Sequence, residues 1–210
     1  MAKFDELKAA VANGKAKLVP ALVQETLDEG VAPGDALNGM IEAMGVVGEK
    51  FKNGEIFVPE MLISAKAMKK GVDVLKPMLA SGEAGAKGKI ILGTVAGDLH
   101  DIGKNLVGMM FESTGFEVID LGVDVPVDKF LAAYDENPDT KIIACSALLT
   151  TTMPALAETV AAINGKPWRG NVKVMVGGAP INQAFADEIG ADAYTADAAS
   201  AADKASELVG

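Results

Sequence analysis

Apolar residues recur three and four apart along the first part of the chain. FDELKAAVANG, LVPALVQETLDEG, ALNGMIEAMGVVGEKFKNG and PEMLISAKAMKKGVDVLKPML each carry that spacing, which predicts four helices gathered as a bundle. Pro33 with Gly34, and Phe57 with Val58 and Pro59, mark the later joints. SGEAGAKGK, residues 81–89, is small, glycine-rich and charged, and reads as a linker. Beyond it the period changes. Short β-rich runs, KIILGTV, FEVIDLG, KIIACSAL, VKVMVGG and DAYTA, alternate with helical patterns near 103–114, 126–136, 153–164, 181–189 and 197–208. Strict alternation of this kind predicts a five-stranded, doubly wound parallel sheet, flavodoxin-like or Rossmann-like, with both faces covered by helices. The expected organisation is a helical cap with linker over 1–88 and an α/β domain over 89–210.

In such a sheet, ligands bind beyond the carboxyl ends of the strands. The first strand ends in Asp98, His100 and Gly103, the third in SALLTTT (Ser146 to Thr152), and the fourth in Gly177 and Gly178. All three ends share one edge, where a single ligand can touch them.

Charge narrows the range of partners. The net charge is −10, and residues 89–210 carry most of it, with 8 Lys or Arg against 17 Asp or Glu. A surface of that sign repels phosphate backbones and anionic lipid, so neither nucleic acid nor membrane is an expected partner. No apolar run reads as a signal peptide or a span. A single cysteine forms no internal disulfide and suits a reducing cytoplasm.

The chain has one histidine, placed between two aspartates in GDLHDIG, residues 97–103. A carboxylate that accepts a hydrogen bond from one ring nitrogen fixes the tautomer and makes the other nitrogen a better metal ligand. On the bare pattern, a satisfied structural histidine is the simpler reading. One histidine cannot build a four-ligand zinc site, so a metal here requires a prebuilt macrocycle to supply most of its ligands.

The three strand ends also carry a family likeness. Asp98-Leu-His100-Asp-Ile-Gly103, then Ser146-Ala-Leu148, then Gly177-Gly178, resembles the D-x-H-x-x-G, S-x-L, G-G signature of cobalamin-binding domains. MIEAMGVVGEKFKNGEIFVPEM is similar to the helical cap of methyl-carrying corrinoid proteins and of methionine synthase. The resemblance covers the whole chain and is strongest to the corrinoid protein of a three-component methyltransferase system. It implies cobalamin held base-off, with His100 as the lower ligand of cobalt, Asp98 on its other nitrogen and Thr152 completing the relay where methionine synthase has a serine. Asp101, Ile102, Gly103, Ser146, Leu148, Thr150, Gly177 and Gly178 then line the cofactor site, and Phe51 and Val58 cover the upper face of the corrin. The implied function is methyl transfer on cobalt from a substrate-specific methyltransferase to a second one, with tetrahydrofolate or a thiol as acceptor. An ATP-dependent corrinoid reactivation protein is a further implied partner. A subunit of an adenosylcobalamin mutase and a cobalamin sensor share parts of the signature; the methyl-carrier cap argues against the first, and the length and acidity against the second.

Other residues point to packing. Alternation along the third strand turns Cys145 away from the face of Ser146, so it reads as a buried structural thiol. VAGDLHDIGKN lacks the P-loop spacing, which leaves Lys104 without a phosphate cradle. Met40 and Met44 read as core, and Trp168 as a loop residue over the sheet edge.

Overall fold

The computed structural model describes residues 2–79 and 87–210. Most of the stretch expected to be a linker lies outside them. Two compact units emerge, Met1–Ala86 with Glu112–Gly115, and Lys87–Phe111 with Phe116–Gly210.

The first unit holds α1 (Ala2–Ala12), α2 (Val19–Asp28), α3 (Pro33–Lys52) and α4 (Val58–Leu79). Every pair of these helices is in contact, so the apolar stripes meet in one core that buries Leu7, Val23, Met40, Met44, Met61 and Met68. Both methionines singled out from the sequence are therefore core residues. Proline opens α3 and lies second in α4, where no helical hydrogen bond is lost. Phe57 caps α4 by donating its N–H to the Glu60 carboxylate at 2.8 Å.

The second unit alternates β1 (Lys89–Thr94), α5 (Ile102–Ser113), β2 (Glu117–Asp120), α6 (Val127–Glu136), β3 (Thr140–Ser146), α7 (Met153–Asn164), β4 (Lys173–Gly177), α8 (Gln183–Ile189), β5 (Ala193–Tyr194) and α9 (Ala198–Val209). All pairings are parallel, in the order β2-β1-β3-β4-β5. This is the flavodoxin-like order, whose direction reverses between β1 and β3. One face of the sheet packs Ile91, Ile143, Cys145, Val174 and Val176 against Phe130, Leu156 and Val160. Trp168, in the loop before β4, joins that cluster and stacks on Tyr134 with ring centroids 3.9 Å apart.

β5 is shorter than its sequence pattern. The Asp192 carboxylate, not another backbone carbonyl, accepts the Val174 N–H, and it also receives Arg169 Nη2 at 2.7 Å. The ladder pairs Met175 with Ala193 and Val176 with Tyr194, and Thr195 and Ala196 lie beyond it.

The register decides what the strand ends can share. Thr94 is level with Ser146, and Ser146 with Gly177, so the three signature loops leave the sheet side by side. Gly178 follows with φ +134°, and a Cβ placed there would lie 1.8 Å from the Ala147 carbonyl oxygen. The bare backbone at 178 thus serves first the close approach of the loops after β3 and β4. Gly103 differs, since a Cβ there meets nothing within 4 Å. Gly178→Ala should cost about 3 kcal/mol through backbone strain and displacement, whereas Gly103→Ala should change stability by about 0.5 kcal/mol or less. Thermal unfolding of the two apoproteins checks the contrast.

Candidate functional site

β1 ends in a buried residue, and the chain then turns at Gly97, with φ +80°, before α5 begins. That turn carries Asp98 inward and His100 outward. Asp98 is 0 % exposed, yet the His100 side chain is half exposed. Sequence neighbours two apart thus occupy opposite environments, and one hydrogen bond joins them: His100 Nδ1 lies 2.7 Å from Asp98 Oδ1.

A buried carboxylate needs compensation. Burial by itself pushes the Asp98 pKa up; the Leu148 N–H, the Thr152 hydroxyl, and the ring and N–H of His100 outweigh it and hold the group well below the usual carboxylate range. Oδ1 takes the His100 N–H at 3.1 Å as well as the ring. Oδ2 takes the Leu148 N–H at 2.7 Å and the Thr152 hydroxyl at 2.8 Å. Because Asp98 is anionic, the imidazole donates from Nδ1, and the neutral ring with that proton in place has its lone pair on Nε2.

The sequence-predicted residues of this unit divide by what they do locally. Asp98, His100, Leu148 and Thr152 form one hydrogen-bonded group across the ends of β1 and β3. Ser146 and Gly177 are half-buried at the adjoining strand ends, and Thr150 is exposed on the short turn before α7. Asp101 and Ile102 are exposed beside His100, with Asp101 accepting a hydrogen bond from Asn105 at 3.1 Å. In the helical unit, Phe51 is half-buried in the last turn of α3, and Val58 opens α4 with Phe57 exposed before it. Cys145 lies in the core, where burial pushes its thiol up to about 12, so it is no nucleophile. Lys104 is buried and paired with Asp120 and Asn105, which explains its place without any phosphate.

Three participants were not picked out by their sequence pattern. Leu99 is 72 % and Ile102 84 % exposed, so two large apolar side chains within two residues of His100 have no core to join. An apolar pair in a loop with no helical period was the available signal for Leu99. The Thr94 hydroxyl, fully buried at the end of β1, donates to the His100 carbonyl at 2.9 Å. Asp124, in GVDVP, reads from sequence only as part of a turn.

The donor set suits a broad, mostly apolar metal-bearing ring better than a bare ion. Among the described residues, no group of three His, Cys, Asp or Glu is gathered for a metal. What stands at the edge is one imidazole with a free nitrogen, apolar side chains around it, and open space at Gly103. That combination fits a macrocycle that brings its own equatorial ligands and needs one axial nitrogen from the protein.

Known proteins resemble this chain along its whole length. Residues 88–204 match a family model described as a B12 binding domain, and residues 3–76 match a second model of the same description. A corrinoid protein of Desulfitobacterium hafniense is 43% identical over 100% of this chain and 99% of its own. Dimethylamine corrinoid protein 1 of Methanosarcina acetivorans is 43% identical over 99% of this chain and 92% of its own. Among solved structures, a cobalamin-binding protein from Desulfitobacterium hafniense has a TM-score of 0.83 at 31% identity, covering 99% of this chain and 98% of that one. The methanol:cobalamin methyltransferase complex of Methanosarcina barkeri gives a TM-score of 0.84 at 30% identity, over 99% of this chain and 79% of the matched chain. With B12-binding models matching both parts of the sequence and relatives similar along its whole length, the chain belongs to the family of B12-binding corrinoid proteins of methyltransferase systems.

Proposed function

We propose that this chain is a methyl carrier that binds a corrinoid base-off, with His100 Nε2 as the lower axial ligand, and serves two methyltransferases in turn. One partner activates a methyl donor and the other passes the group to tetrahydrofolate or a thiol; an ATP-dependent reactivation protein restores the oxidised carrier. The observation that carries the reading is the His100–Asp98 bond of 2.7 Å, which commits Nδ1 and leaves Nε2 as the free nitrogen of a half-exposed ring. When bound, cobalamin supplies the cobalt on which the methyl group is accepted and given up.

The protein residues position one proton beside that chemistry. His100 would hold the cobalt through the Nε2 lone pair, with the Nδ1 proton kept on Asp98 Oδ1. Asp98 stays ionised throughout, since Leu148 and Thr152 keep their donors on Oδ2. Thr152 has a single hydroxyl hydrogen and two acceptors, Asp98 Oδ2 at 2.8 Å and the Leu149 carbonyl at 3.0 Å. The charged acceptor takes it. Leu99 and Ile102 offer exposed apolar surface near the imidazole to the face of the ring, and Gly103, Ser146, Leu148, Thr150, Gly177 and Gly178 line the path of the nucleotide tail.

In the helical unit, Phe51 and Val58 are the residues that would meet the corrin, a role supported by the match of residues 3–76 to a B12 binding domain. Donor choice belongs to the partner enzyme: by name, relatives of this chain belong to dimethylamine and methanol systems while sharing its fold. A lone buried cysteine is in keeping with a cytoplasmic carrier. No described helix is long and apolar enough to cross a membrane.

Two outcomes are expected. Electron paramagnetic resonance of the Co(II) state in 15N-labelled protein should show the superhyperfine triplet of unlabelled protein replaced by a doublet, and His100→Ala should remove the labelled splitting without unfolding the chain. A triplet that persists in labelled protein excludes a protein nitrogen as the ligand. The second concerns acid stability. Asp98 has a folded-state pKa below its unfolded value of about 3.9, so its contribution is complete above that pH and is lost as pH falls through the folded value. Asp98→Asn apoprotein should therefore be less stable than wild type at neutral pH, with the gap narrowing as pH drops below about 4; chemical denaturation across pH measures it.

A further inference from the structure

Asp124 is the sole non-glycine residue with positive φ among the described residues, at +51°. Its place in the fold shows what that conformation achieves. After β2 the chain passes Gly122 and runs alongside the end of β1: Thr94 N–H donates to the Gly122 carbonyl at 3.0 Å, Val125 N–H to the Thr94 carbonyl at 2.9 Å, and Val95 bridges Val125 in parallel. Asp124 then reaches the loop of Asp98 and His100 twice. Its carboxylate accepts the Gly97 N–H at 2.7 Å, and its own N–H donates to the Asp98 carbonyl at 2.9 Å. The two bonds bracket the peptide between Gly97 and Asp98, the unit that aims the Asp98 side chain inward.

We infer that Asp124 is a positioning residue that fixes the Gly97–Asp98 peptide, and through it the tautomer and direction of the His100 ring. A left-handed aspartate persists only where its surroundings over-determine it, and here a backbone donor and a carboxylate acceptor engage the two peptides that flank the one between Gly97 and Asp98. Gly97 itself has φ +80°, and the N–H of the peptide that follows it donates to the Val95 carbonyl at 3.2 Å, so Asp124 adds to a turn already closed on one side. Thr94 secures the other end of the segment through the His100 carbonyl, so the loop is held before Asp98 by one element and after it by another.

This inference deepens the reading of His100 as a cobalt ligand and rests on it for its functional meaning, but its test needs no cofactor. The chain has one histidine, so the 15N signals of its ring in apoprotein report the tautomer without ambiguity. Wild type should show the Nδ1–H form. Asp124→Gly keeps the positive φ and the backbone bond to Asp98 but loses the carboxylate; its ring should shift to a mixture of both tautomers while the melting temperature stays at or above that of wild type. Asp124→Asn keeps both an acceptor oxygen and tolerance of the left-handed region, and should restore the Nδ1–H form. An Asp124→Gly ring indistinguishable from wild type overturns the inference, and so does an Asp124→Asn ring that matches Asp124→Gly. Cobalt ligation is judged separately by the labelled-nitrogen splitting of wild-type holoprotein, so failure of one reading is not mistaken for failure of the other.

Discussion

The structure of the site depends on a buried carboxylate that stays charged. Asp98 has no solvent contact, and its two oxygens collect four donors from three places in the chain: His100, Leu148 and Thr152. Removing a carboxylate from water is costly unless donors replace the lost hydration. Here they do so from opposite sides of the switch point in the sheet. The loop after β1 cannot present His100 unless the loop after β3 stands where it does, and the parallel register of Thr94 with Ser146 puts it there.

That arrangement separates two tasks that one residue could not perform. The charge is kept in the interior, where it is oriented and shielded, while the ring that exploits it is half in solvent. The imidazole acts as the connection between an immobile anion and whatever binds at the edge. Around it the protein places Leu99 and Ile102, large apolar groups with no core to join, which suits the face of a broad ring better than open water.

Packing beneath the site supports this at some distance. Gly178 lets the loop after β4 close on Ala147, one residue from the Leu148 N–H that Asp98 requires. Lys104, buried in the first turn of α5, pairs with Asp120 at the end of β2 and ties the helix that follows His100 to the edge of the sheet. The family likeness thus maps onto a connected set of contacts, some of which touch no ligand at all.

Much of this was legible in the order of residues. Period alone located the four helices and the alternation of strands and helices, because an amphipathic segment declares its buried face within a few turns. The pairing of His100 with Asp98 was legible too, being local, and the three motifs at strand ends identified the family. Only the tertiary structure decided the rest. The order and register of the strands, which bring Leu148 and Thr152 to Asp98, depend on contacts some fifty residues apart that leave no periodic trace. The same holds for Gly178, whose missing side chain makes room for backbone, and for Asp124, whose left-handed turn matters through the loop it meets. A sequence records which faces are apolar and which residues can bend; which loops then meet is settled by the sheet that joins them.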